Sequence, residues 1–278
     1  MSNKSELTKK IIARSIVGAT MLLLYFPLML LIVFSFTPGR YLGNWQGFSF
    51  QLYRDLFNNS QAMAAVRTTF IVALVSSLIS VILGTFTAIG IFHMRKTPKA
   101  ITSVGAQITV INAEVVTGIA FAILFASVGR LFGTFVFGYG TLILAHVMFT
   151  TPFVILAVLP RLYQLNPNLY EAGLDLGAGP IRTMFTVVMP QLVPGMISGF
   201  ALAMTVSLDD FVVGNFTRGH LNTISSWLYN NRMGGVPAES RALSTLIFLL
   251  AFVALIVLYI NNKRAQKQYK ARIGVSKS

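Results

Sequence analysis

The chain has 278 residues, 55% hydrophobic and only 11% charged, with no cysteine and a formal net charge of +14. Soluble globular domains carry about 25% charged residues, so a mean hydropathy of +0.71 excludes an ordinary soluble domain and places the chain in lipid. Disulfides, thiolate catalysis and cysteine-based metal sites are excluded as well, and the basic residues lie in short segments between apolar runs, which suits positive-inside loops rather than a nucleic-acid face.

A helix that crosses the hydrocarbon core needs about 20 mostly apolar residues, each adding about 1.5 Å. In chain order, six stretches qualify: Ile16 to Phe36, Phe70 to Phe92, Val104 to Val128, Thr141 to Leu159, Leu192 to Val213, and Leu243 to Ile260. The expected fold is therefore all-α, a single polytopic transmembrane domain over residues 1–278. Pro27 and Pro152 fall inside two spans as tolerated kinks. The first run follows basic residues as a signal peptide does, but it is longer than a typical h-region and lacks an A-x-A site, so an uncleaved first helix is expected.

Counting Lys and Arg in alternate connections gives fifteen on one side and seven on the other. The richer side includes both ends, so both termini are expected in the cytoplasm. The segment from Thr37 to Arg67 then reads as an outer loop with Trp45 and Tyr53 as interfacial anchors. A second outer loop, Gly214 to Arg241, is expected to hold a short helix around Trp227 and Tyr229. His93, His146 and His220 are far apart and show no metal-ligand spacing. No repeat at fixed spacing is visible, which argues against a secondary transporter built from paired repeats.

Three of the eight acidic residues fall in or at the end of apolar helices: Glu114, Asp209 and Asp210. A carboxylate near the bilayer centre costs at least about 2.5 kcal/mol, so such groups face water or the bundle interior and are functional candidates. Counted from the cytoplasmic ends, Glu114 lies about 15 Å along its helix and the two aspartates about 25 Å, the middle and outer mouth of one route. Neighbouring helical residues point about 100° apart, so Asp209 and Asp210 are expected to differ in role, one of them pairing with Arg218, Arg232 or another subunit. Gly195 and Gly199 form a small-xxx-small face suited to close helix packing.

Between the fourth and fifth spans, residues 161–191 are long, polar and patterned. Asn166 can cap a helix beginning at Pro167, with Leu169, Ala172 and Leu176 at helical spacing and Glu171 and Asp175 one turn apart. Gly177, Gly179 and Pro180 end that helix. A second short helix is expected from Ile181 towards Met189, broken by Pro190 where the chain re-enters the bilayer. Two angled pieces on the cytoplasmic side suit either a coupling loop that docks in a partner's groove and transmits its motion or an interfacial linker without a partner.

At this loop Glu171, Ala172, Gly173, then Gly177, then Val187, Val188, Met189 and Pro190 resemble the EAA motif of bacterial ABC-importer permeases. Gly173 stands for the usual second Ala and Met189 for the usual Leu. Asn44 to Phe48, Leu174 to Ala178 and Ser207 to Val213 are similar to the second permease subunit of spermidine/putrescine importers. Relatives often have Pro before the acid of the third span, where this chain has Asn112-Ala113-Glu114. The resemblance implies the six-helix type I permease fold in a bacterial inner membrane. It also implies a heterodimer with a second homologous permease subunit, two ATPase subunits and a periplasmic solute-binding protein.

It assigns ATPase coupling to Glu171, Ala172, Gly173, Asp175, Gly177 and Pro190, and a polyamine pathway to Glu114, Asp209 and Asp210. Membrane lipid is the remaining partner expected, and no nucleic acid. The chain has no G-x-x-x-x-G-K-[ST] loop, so no catalytic residue, metal or cofactor is expected on it, ATP and Mg belonging to the partner ATPase. Two other transport readings fit the same residues: an ATP-independent cation carrier or channel, and an ABC permease for a different small solute. An intramembrane hydrolase would need a paired nucleophile and base. Ser198 and His146 are of the right types, with no motif around them.

Overall fold

Long apolar runs in this chain satisfy their own backbone hydrogen bonds as helices, and helices account for the architecture of the computed structural model. It describes residues 2–39, 45–112, 114–133, 137–166, 168–231 and 237–272. In order, the helices are α1 (Ser2–Ser35), α2 (Gln51–Asn58), α3 (Ser60–His93), α4 (Lys96–Ile111), α5 (Glu114–Phe132) and α6 (Tyr139–Gln164). There follow α7 (Asn168–Asp175), α8 (Pro180–Thr183), a π turn (Met184–Val188), α9 (Met189–Asp209), α10 (Val212–Thr217), α11 (Ile224–Asn231) and α12 (Glu239–Arg272).

Five helices among the described residues are long and apolar enough to cross a membrane: Lys10–Ser35, Ser60–His93, Glu114–Leu131, Tyr139–Gln164 and Pro180–Asp209. The sixth expected span, Leu243 to Ile260, lies within α12.

The chain divides into two compact units. The first comprises residues 1–60 and 231–278, where α12 packs on α1 and α2. Its polar ties gather at the end of α1. Arg241 donates to the carbonyls of Phe34 and Gly39, and the Ser35 and Tyr53 hydroxyls lie 2.8 Å apart. Phe36 stacks on Phe48 with centroids 5.3 Å apart, and Phe50 and Tyr53 complete the cluster. The apolar stretch of α1 is exposed, a surface suited to lipid or another subunit.

The second unit, residues 61–230, is built on α3, α6 and α9. Glycines set its helix spacing. A Cβ on Gly84 would lie 2.7 Å from Val154, one on Gly199 3.0 Å from Val154 and one on Gly195 2.9 Å from Arg161. The small-xxx-small face therefore packs α9 directly on α6. Ile91, Val154, Val158 and Leu192 fill the core there, all essentially inaccessible. A smaller cluster of Phe125, Ala145, Phe149 and Val213 joins α5, α6 and α10.

Four expectations are corrected. The expected third span, Val104 to Val128, is two helices that part at Asn112, whose backbone is extended at ψ 145° and whose amide donates to the Thr117 hydroxyl at 3.3 Å. Asn competes with the helix for backbone partners and favours helix ends, and an acid favours a first turn, so Asn112 before Glu114 is a stop and a restart without proline. The fifth expected span, Leu192 to Val213, ends at Asp209, and α10 begins separately.

Pro190 does not end the helix: it sits in the first turn of α9, its missing N–H falls against the π turn that precedes it, and helix continues from Pro180 to Asp209. The expected outer loop from Thr37 to Arg67 already contains α2 and the first turns of α3.

Candidate functional site

Asp210 follows the last residue of α9 in an extended conformation, φ −62° and ψ 128°. Its Oδ1 accepts the Val213 N–H at 3.1 Å and its Oδ2 the Gly214 N–H at 2.6 Å. Both donors would otherwise be orphans at the start of α10, so Asp210 acts as that helix's cap. His146 of α6 lies behind it, with Nε2 3.5 Å from Asp210 Oδ2, too long for a hydrogen bond. His146 Nδ1 is 2.7 Å from the Ser207 hydroxyl, which is 3.3 Å from the Ser76 hydroxyl of α3. Gly214 is required in this corner, because a Cβ would sit 3.0 Å from Asp210 Oδ2.

The sequence expects one aspartate to pair with Arg218, Arg232 or another subunit, and Asp210 is found on backbone amides of α10. Arg218 instead staples its own turn, donating to the Leu221 carbonyl and the Asn222 side chain, each at 2.6 Å, and to Asn215 at 3.1 Å. Arg232 lies outside the described residues. Asp209 ends α9 exposed, and Glu114 is exposed in the first turn of α5.

α5 packs against α10, with Gly118 against Val213 and Phe216, which brings the first turn of α5 and Glu114 towards the start of α10. The helix break at Asn112 thus converts two expected depths into one acidic neighbourhood, since residues beyond the break no longer follow the axis counted from Lys96. Only Asp210 is buried among the three.

Serine, histidine and aspartate in contact invite comparison with a hydrolase. Ser207 is 2% exposed, so no substrate reaches its hydroxyl, and His146 is equally enclosed. Ser198, the serine considered from sequence, bonds the Pro194 carbonyl at 2.9 Å on an exposed face, away from His146. With Ser76, the trio of Ser207, His146 and Asp210 forms a strut that ties α3 and α6 to the end of α9. Sequence pattern missed it because only packing brings Ser76 and His146 to segment 207–210. Among the described residues no group of His, Asp and Glu is arranged to hold a metal ion.

The coupling segment is more local. Asn166 Oδ1 accepts the Asn168 N–H at 3.0 Å, so it caps α7 as expected, while Pro167 lies outside the described residues. Glu171, exposed, occupies the first turn of α7 and Asp175 its end. Gly177 has φ +81°, which an ordinary side chain resists. Gly173 faces the fully buried Thr183, whose methyl occupies the place a Cβ would need. The substitution of Gly for the usual Ala at 173 therefore lets α7 close on α8. Ala172 and Pro190 are exposed, and Pro190 contributes to helix continuity rather than to a corner.

The model of the family "Binding-protein-dependent transport system inner membrane component" matches residues 80–267. The Haemophilus influenzae "Spermidine/putrescine transport system permease protein PotC" is 32% identical over 236 residues, 84% of this chain and 90% of that protein. The Escherichia coli K12 "Putrescine transport system permease protein PotI" is 32% identical over 250 residues, 88% of each chain. Among solved structures, a bacterial ABC transporter that imports the acidic polysaccharide alginate superposes with a TM-score of 0.69 at 14% identity, covering 96% of this chain and 99% of that one. That similarity concerns the fold alone.

Proposed function

The chain belongs to the binding-protein-dependent transport system inner membrane components, and from that premise we propose that it forms half of the translocation pathway of a polyamine importer. It is a transport permease subunit. The other half of the pathway is a second homologous permease, and the complex holds two ATPase subunits and receives cargo from a solute-binding protein. The bacterial inner membrane is its site, ATP and Mg are bound by the ATPase, and this chain supplies no catalytic group.

One observation carries the cargo assignment: Glu114 and Asp209 stay exposed beside the buried Asp210. Polyamine amines are protonated at neutral pH, and spaced carboxylates replace their hydration charge by charge. The names of PotC and PotI support the same class. Asp210 is spent on the α10 N-terminus, so Glu114 and Asp209 make the contacts with cargo and Asp210 holds Asp209 in place.

The mechanism is alternating access. The ATPases close on ATP, push the segment of Glu171, Ala172, Gly173, Asp175 and Gly177, and the helices reorient around the pathway. The test is uptake of labelled spermidine and putrescine by the complete transporter carrying Asp209→Asn with Glu114→Gln. Uptake should fall at least tenfold with the complex intact. Unaltered uptake would return both acids to a structural role.

A further inference from the structure

We propose that the π turn Met184–Val188 is the hinge of the coupling segment, and that Met184 and Val188 swing into an adjoining crevice when the hinge moves. This rests on the reading that the segment receives motion from an ATPase.

Rigid bodies flank the turn. On one side α8 is held against the end of α7 by Gly173 against Thr183 and by the Thr183 hydroxyl, which donates to the Ala178 carbonyl at 3.5 Å. On the other, α9 is seated on α6 through Gly195 and Gly199, with no room for a side chain between the helices. Displacement of the first body relative to the second must be absorbed between them.

Hydrogen bonding changes there. The Met189 N–H bonds the Met184 carbonyl, five residues back, in place of the four-residue step of an α-helix. Pro190 has no N–H, so the Thr186 carbonyl lacks the donor that an α-helix would supply four residues on. The turn holds one residue more than α geometry would. In α geometry the Pro190 ring would clash with the Thr186 carbonyl, so the turn carries fewer backbone bonds than the helices on either side and bends there more easily than they do.

Movement also needs space. Met184 and Val188 border a crevice of about 60 Å³ that is otherwise lined by Ile89, Phe92, Leu162 and Leu169 among others. The crevice is open on one side, which leaves a moving side chain somewhere to go, and an unbranched methionine fills irregular space readily. The crevice and the π turn are independent features of the structure, and they coincide.

Because the chain has no cysteine, Ile89→Cys with Val188→Cys can be joined by a short, reducible thiol cross-linker in the complete transporter. Uptake should fall at least tenfold on cross-linking and return on reduction, with the ATPase subunits bound throughout. Undiminished uptake at full cross-linking overturns the hinge. Should the cysteine pair be inactive before cross-linking, Pro190→Ala decides: it supplies the missing N–H and stiffens the turn without changing its length, and undiminished uptake overturns the hinge, whereas uptake lowered several-fold with the ATPase still bound supports it. If the unmodified transporter moves cargo equally well with its ATPase inhibited by vanadate, the importer reading itself fails and takes the hinge with it. ATP-dependent uptake that ignores the cross-link removes the hinge alone.

Discussion

Two adjacent aspartates have different tasks because one of them faces backbone. Asp210 offers two oxygens to the Val213 and Gly214 N–H groups, and such caps contribute about 0.5–2 kcal/mol. Asp210→Ala should therefore destabilise the purified chain by about 2 kcal/mol, read as a lowered midpoint of thermal unfolding in detergent. Asp210→Asn should recover only part of that, since its single amide oxygen replaces one of the two acceptors while its NH2 faces the other backbone N–H, and it should retain most uptake. Asp209→Asn should leave the midpoint unchanged and abolish uptake, and equal behaviour of the two Asn variants would refute the division of roles. At Gly177 the argument is conformational: φ +81° costs an L-residue about 1–2 kcal/mol, so Gly177→Asp should weaken the corner between α7 and α8 and lower ATP-driven uptake.

Helix packing turns on residues without side chains. Gly199 brings α9 onto Val154 of α6, where an added Cβ already meets atoms at 3.0 and 3.2 Å. Gly199→Leu should cost about 1–3 kcal/mol through overpacking and lower the unfolding midpoint, whereas Gly90→Leu, where a Cβ meets nothing within 4 Å, should not. Helix ends at this scale were partly legible. Asn112 with Glu114, and Asp209-Asp210 ahead of Val212, are stop and cap signals that hydropathy averaging overrides, because a window of about 20 residues cannot see a two-residue interruption. Pro190 was the opposite case, a local breaker that the first turn of α9 accommodates.

On the mechanism proposed above, the exposed first turn of α7 is the contact through which nucleotide-driven motion enters. Glu171→Lys reverses a charge there without touching the core, so the complex should assemble while ATP-driven uptake falls at least tenfold. Uptake at the normal rate in that variant would move the contact elsewhere. The chain purified alone should show no ATP hydrolysis above background, measured as phosphate release.

What the sequence determined by itself is whatever depends on composition and near neighbours. Apolar runs long enough to span lipid must become helices, because nothing there can pair with an open backbone. Likewise the Asn166 cap, the glycine corner at 177 and the Glu171-Ala172-Gly173 run act within a few residues, so the coupling segment was legible in outline. Only the tertiary structure decided which acid is buried, because Asp210 is distinguished from Asp209 by His146 from α6 and by amides beyond a break. Packing also drew Glu114 beside the two aspartates, since α5 rests on α10, and no count along a single helix axis contains that contact.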